Sequence, residues 1–246
     1  MRNKQLHTVA IILVISIGII HFGIMQSDFE DLGLFYNISI MISLAVVIVM
    51  SAIIYQKYAK QRRLSILFLF LTLAYVSYLF GEIGWFVFEN VFFEYPYQTV
   101  ADIGFFFDFV FTIIFLIAAI RLFSKLTRYD IGAASLVMSV IIAGYLVFSI
   151  DAETETYDLL FGLIFIIASS AVFSYSIIAM NTFWPTKVHI SWVIIALAFM
   201  VSTTADALYY TTENIGVYTY ADPSNTLWIV SNALLVYALI LHRRVL

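Results

Sequence analysis

The chain contains no cysteine, which removes disulfides, thiolate metal sites and cysteine nucleophiles together. Charge is scarce as well. Only 11% of its 246 residues are Asp, Glu, Lys or Arg, against about 25% in a soluble domain. No Gly-rich phosphate loop and no HExxH or other paired-histidine spacing occurs, so neither a phosphate cradle nor a recognised metal site is predicted. No lysine falls within a long apolar run, so a retinal Schiff base of the rhodopsin kind has no attachment point. No catalytic residue, metal site or cofactor is expected. What remains is apolar: 63% hydrophobic, with 23 phenylalanines and 16 tyrosines, and a mean hydropathy of +1.00. Such a chain cannot cover itself with polar surface and is expected in a bilayer.

A spanning helix takes about 20 mostly apolar residues at about 1.5 Å each. Eight segments qualify: residues 8–25, 34–55, 64–88, 103–122, 131–150, 159–180, 189–210 and 225–242. They are too long for strands and lack period-two alternation. The expected fold is all-α, a polytopic membrane helical bundle forming a single transmembrane domain over residues 1–246. The first span follows a basic start, Met1-Arg-Asn-Lys4, but its apolar run is longer than a signal-peptide core and no small-residue cleavage site follows. A retained helix is expected.

Charge sign orients the bundle. All 12 Lys and Arg residues lie at the N-terminus or beside the end of an even-numbered span: Arg2, Lys4, Lys57, Lys60, Arg62, Arg63, Arg121, Lys125, Arg128, Lys187, Arg243 and Arg244. Every acidic residue except Asp130 falls at the opposite ends. The positive-inside rule then places both termini in the cytoplasm of a multi-pass protein of the cell membrane. Short, scattered basic loops fit topology better than nucleic acid, and no nucleic-acid partner is expected.

An offset of 124 residues matches the ends of spans three and seven. Glu82 meets Asp206, Trp85 meets Tyr209, Phe86 meets Tyr210, Glu89 meets Glu213 and Asn90 meets Asn214. One residue less matches Asp102 with Asn225, Phe105 with Trp228 and Asp108 with Ser231. Two parallel four-helix repeats, 1–124 and 125–246, are predicted; each holds an even number of spans, so the halves share one direction.

Glu82, Trp85, Phe86 and Glu89 are spaced i, i+3, i+4, i+7 and form one helical stripe; Asp206, Tyr209, Tyr210 and Glu213 form its counterpart. Glu82 and Asp206 stand about 27 Å from the basic ends of their helices, and Asp108 about 9 Å inward of Asp102. A carboxylate at such depth needs protonation, a partner or water, and no Lys or Arg lies near. Two readings stand for the cluster. In one, Glu82, Trp85, Glu89, Asp108, Asp206, Tyr209 and Glu213 line an outward acidic vestibule whose aromatic faces attract a cation or cationic amine. In the other, the carboxyls cap helix ends and accept hydrogen bonds between helices, which is the preferred reading for Asp102 and Asn225. His21 lies within reach of the cluster. Trp85, Trp184, Trp192 and Trp228 read as interfacial belt residues, Gly81 and Gly84 as a site of close helix approach, and Asn37-Ile-Ser39 as a weak glycosylation pattern.

Gly81-Glu-Ile-Gly-Trp85 through Glu89, followed by Tyr95-Pro-Tyr-Gln-Thr-Val-Ala-Asp102, resembles the multi-spanning membrane sensor regions of prokaryotic signalling proteins. Those carry an acidic–aromatic element and then a Pro-Tyr-Pro-Ser-x-x-Asp-like segment; here Gln98 and Thr99 stand in place of the second proline and the serine. The resemblance implies a sensory membrane module, and with no output domain in the chain it implies a separate membrane-protein partner or complex. Three functions are therefore open. The first is a non-enzymatic ligand-binding sensor or accessory subunit; the second is a transporter or channel for a cation or amine. The third is a lipid-modifying enzyme with a carboxylic acid as proton donor.

Overall fold

The computed structural model describes residues 2–150, 155–184, 186 and 188–245, with side chains from residue 7 to 244. Lys187 and residues 151–154 of the acidic α5–α6 connection lie outside the described residues. Eight long helices follow one another: α1 (Arg2–Met25), α2 (Leu32–Lys57), α3 (Arg62–Val87), α4 (Ala101–Phe123), α5 (Arg128–Ser149), α6 (Thr156–Phe183), α7 (His189–Asn214) and α8 (Pro223–Val245). There is no strand among the described residues. All eight are long and apolar enough to cross a membrane, as the composition predicts. Large apolar side chains point outward along them, including Ile19 on α1 and Val147 on α5, 68% and 73% exposed. The chain is an integral membrane protein of the all-α polytopic class.

Helix limits follow local chemistry. Thr127 and Asp130 form a reciprocal capping box at the start of α5: Asp130 accepts from the Thr127 backbone N–H at 2.8 Å, and the Thr127 hydroxyl accepts from the Asp130 N–H at 3.2 Å. This explains the one acid found among the basic connections, since a carboxylate at an N-terminus meets the positive end of the helix dipole. At the end of α7, Gly216 takes φ +68°. Its N–H reaches the Glu213 carbonyl and that of Val217 reaches Thr212, the double closure that a left-handed residue makes possible. The α3 helix ends differently, loosening into one π-helical turn over Phe88–Phe92.

The core is a closed circuit of six helices. Within one triplet α2 packs on α3 and α3 on α4; within another α6 packs on α7 and α7 on α8. The triplets join twice, α4 against α6 and α2 against α8. The two remaining helices are placed differently from each other: α1 packs on α8, whereas α5 packs on α6 and α7. The α3–α4 contact is a close backbone approach: a methyl group on Gly104 would stand 2.5 Å from the Gly81 nitrogen and 2.7 Å from the Ser77 carbonyl.

At the basic end, Tyr58 and His242 share a hydrogen bond of 3.1 Å and the Lys57 ammonium donates to the Arg243 carbonyl at 3.0 Å. The interior nearest that end is a stack of rings. Trp192 lies parallel to Phe183 with centroids 3.8 Å apart, and Phe115 stacks on its other side at 5.5 Å. Trp192 is therefore a core residue, 1% exposed, and Trp85 and Trp228 are buried too; of the four tryptophans only Trp184 faces outward. The belt reading fails for three because their rings have partners inside.

Candidate functional site

Toward the acidic end the middle of the circuit is not filled by side chains. It encloses a cavity of about 60 Å³, room for a few waters at the roughly 10–15 Å³ each needs. Four carboxyls line it: Glu82 of α3, Asp102 and Asp108 of α4, and Asp206 of α7. The walls are otherwise aromatic. Trp85 meets Tyr209 edge-on across the cavity at 6.3 Å, and Tyr209 in turn contacts Trp228 at 5.6 Å and Tyr218 at 4.8 Å. Tyr36, Tyr78, Phe105, Phe109 and Ser202 complete much of the lining.

The carboxyls differ sharply in what they hold. Asp206 is fully engaged: one oxygen accepts from the Trp228 indole at 2.9 Å and the other from the Ser169 hydroxyl at 3.0 Å. Asp102 accepts from the Thr99 backbone N–H at 2.7 Å, pinning the loop that leads into α4. This is the capping role expected for it. Its expected counterpart Asn225 instead ties the preceding loop, donating to the Tyr220 carbonyl and accepting from the Tyr218 hydroxyl; the cap at α8 comes from Asp222, which accepts from the Ser224 N–H at 2.8 Å. Asp108 accepts, among the described residues, only from Thr112 one turn along, at 3.3 Å. Glu82 is buried, 5% exposed, and has no hydrogen-bond partner among the described residues. The Tyr209 hydroxyl is likewise buried without a partner among them.

Of the seven residues singled out in the sequence, five line this cavity: Glu82, Trp85, Asp108, Asp206 and Tyr209. Glu89 and Glu213 do not. Glu89 lies in the π turn and Glu213 in the last turn of α7. Both glutamates instead receive tyrosines from the other triplet. The Tyr220 hydroxyl, in the α7–α8 connection, donates to Glu89, which also accepts from Asn37 at 2.9 Å. The Tyr95 hydroxyl, in the α3–α4 connection, donates to Glu213 at 2.6 Å. Desolvation first, and then these carboxylates, hold both phenols above their ordinary range. Each connection is thus clasped to a helix of the opposite triplet. Asn37, 1% exposed, is part of this clasp, which corrects its reading as a glycosylation acceptor. His21 bonds Thr226 at 3.0 Å and lies 3.3 Å from the Ser39 hydroxyl, so it meets hydroxyls rather than the acidic cluster.

The clasps make a local prediction. Hydrogen bonds to charged groups contribute about 1.5–3 kcal/mol when shielded and less when wet, and Tyr95 is largely exposed. Tyr95→Phe with Tyr220→Phe is expected to speed amide exchange in residues 94–99 and 217–222 several-fold, while the global melting midpoint barely moves. Unchanged exchange in both loops would show that these hydroxyls hold nothing.

Sequence reasoning missed Tyr36, Tyr78, Ser202 and Tyr218, which line the cavity from four different segments; among the other lining residues Asp102, Phe105 and Trp228 carried a signal through the offset match and Tyr210 through the α7 stripe. No group of three or more His, Cys, Asp or Glu residues is arranged to hold a metal ion among the described residues. Compared with protein-family models, with curated proteins and with solved structures, the chain finds no match, so what this membrane protein does has to be read from its own cavity.

Proposed function

We propose that the protein is a non-enzymatic ligand-binding module of the membrane, a sensor or an accessory subunit of a larger membrane complex, that takes a small molecule into the acidic–aromatic cavity. The observation that carries this reading is a space lined by carboxyls and aromatic rings whose carboxyl Glu82 and hydroxyl Tyr209 are buried and have no hydrogen-bond partner among the described residues. Buried polar groups are normally satisfied, and a group kept without a partner through folding is suited to a partner that arrives later. The likeness of residues 81–102 to membrane sensor regions supports the same role.

The segregation of basic residues supports placing both termini in the cytoplasm and the cavity toward the outer face of the cell membrane. Equivalent packing in the two triplets, together with the residue matches at one offset, supports a duplicated ancestor for the halves 1–124 and 125–246. Transport of a cation or amine is the lesser reading. The space between cavity and basic end is filled by Phe115, Phe183, Phe199 and Trp192, which suits a ligand that is held rather than passed through.

The reading is tested with the purified full chain in mild detergent, melted against a library of water-soluble metabolites. At least one compound is expected to raise the melting midpoint of the natural protein while leaving Ser202→Phe, whose ring would fill the cavity, unshifted. A library with no stabilising compound, or compounds that shift both proteins equally, would overturn it.

A further inference from the structure

The geometry points to a small aliphatic ammonium ion, no larger than dimethylammonium in a space of about 60 Å³, as the ligand of this cavity, its nitrogen beside the Glu82 carboxyl and its methyl groups against Trp85 and Tyr209. This names a ligand class and rests on the ligand-binding reading above.

Three features select that class. First, charge: four carboxyls face the space, and no Lys or Arg among the described residues lies at this end of the bundle. A carboxyl in a low-dielectric interior takes either a proton or a counter-charge, so a ligand that meets it as carboxylate is a cation. Second, coordination: alkaline-earth ions take roughly six to eight oxygens. Here both Asp206 oxygens are already accepting from Trp228 and Ser169, Asp102 is pinned to Thr99, and Asp108 accepts from Thr112. Those oxygens are committed to the fold, and among the described residues no group of three or more carboxyls is arranged to hold a metal ion. An organic ammonium needs only one anion. Third, the walls: an ammonium bearing carbon is attracted to the faces of Trp and Tyr, by about 0.5–1 kcal/mol at wet sites and about 2 or more when desolvated. Trp85, Tyr209 and Trp228 supply such faces within one contact chain.

The two halves are not equivalent in this respect. Glu82 and Asp206 occupy matching positions, yet Asp206 has the Trp228 indole to satisfy it, whereas the residue matching Trp228 on α4 is Phe105, which has no donor. Glu82 is therefore left for the ligand, and one ion per chain is expected.

The experiment titrates the purified full chain with methylammonium chloride and with dimethylammonium chloride at constant ionic strength made up with sodium chloride. Trp85 and Trp228 line the cavity, so intrinsic fluorescence reports occupancy, with calorimetry as a second measure. Saturable binding at one site is expected. The neutral analogues methanol and ethanol should bind at least tenfold more weakly. Glu82→Gln should weaken methylammonium at least tenfold and leave the alcohols unchanged. Trp85→Leu should weaken methylammonium about two- to fivefold, following the wet-site cation–π contribution, and it keeps the test open if Glu82→Gln does not fold. Equal binding of methylammonium and methanol would overturn the assignment, as would no saturable binding of either ammonium ion to the folded natural protein. A library compound that still stabilises the natural protein but not Ser202→Phe would then leave the ligand-binding reading standing and reject only the ligand class.

Discussion

Trp192→Ala is expected to lower the melting midpoint of the detergent-solubilised protein more than any other single truncation in the bundle. The indole is 1% exposed and sits between Phe183 and Phe115, with ring planes within 10° of parallel to both. Between helices in lipid, burial brings little hydrophobic gain, because acyl chains are as apolar as leucine. What the stack supplies is close dispersion contact, and that is lost outright when a void replaces a ring. Truncation of a large buried aromatic costs about 3–5 kcal/mol in well-packed interiors. Three helices meet at this residue, since Phe183 closes α6, Trp192 opens α7 and Phe115 belongs to α4, so little can move in to fill the gap. Trp184→Ala removes the same side chain from an exposed position, 65% accessible, and is expected within about 0.5 kcal/mol of the natural protein. A comparable loss from both substitutions would show that the stack does not stabilise the fold.

Gly104→Ala and Gly144→Ala should move stability in opposite directions. Alanine is favoured over glycine inside a helix by about 0.5–1 kcal/mol. At Gly144 of α5 a methyl group meets nothing within 4 Å, so that gain is expected in full as a small rise in midpoint. At Gly104 the methyl would meet the backbone of α3 at 2.5–2.8 Å, and backbone cannot step aside as a flexible side chain can. Overpacking of this kind costs about 1–3 kcal/mol, which outweighs the propensity. The consequence reaches the cavity, because pushing α4 from α3 separates Asp108 from Glu82. The check is paired melting curves; a rise at both positions would mean that α3 and α4 are not in close backbone contact.

Hydropathy and charge sign were enough to read eight crossings and the acidic and basic ends, because both are properties of runs and not of partners. Facing is harder. Glu82, Trp85, Asp206 and Tyr209 were legible because helical spacing put each pair on one stripe and the offset joined the stripes. The tryptophans show the limit: Trp85, Trp184, Trp192 and Trp228 all lie near span ends, and only the neighbours of each decide whether it looks toward lipid or inward. Glu89 shows another. Its spacing from Glu82 is helical in the sequence, but it falls in the π turn at Phe88–Phe92, and no residue type in that segment announces the turn. The clasps of Tyr95 and Tyr220 depend on which loops cross above the bundle, a matter of tertiary order that periodicity does not carry.

The circuit of helices has a consequence for chain continuity. The polypeptide passes from the first four helices to the last four only through residues 124–127, an exposed stretch at the basic end ahead of the α5 cap. Everything else that unites the two sets is non-covalent: α4 on α6, α2 on α8, α1 gripping α8, and a tyrosine reaching over in each direction. A nick at that stretch would sever no helix and leave all of these in place. The architecture is equally suited to two separately made polypeptides that meet in the bilayer, with α1 as the arm by which the first takes hold of the second.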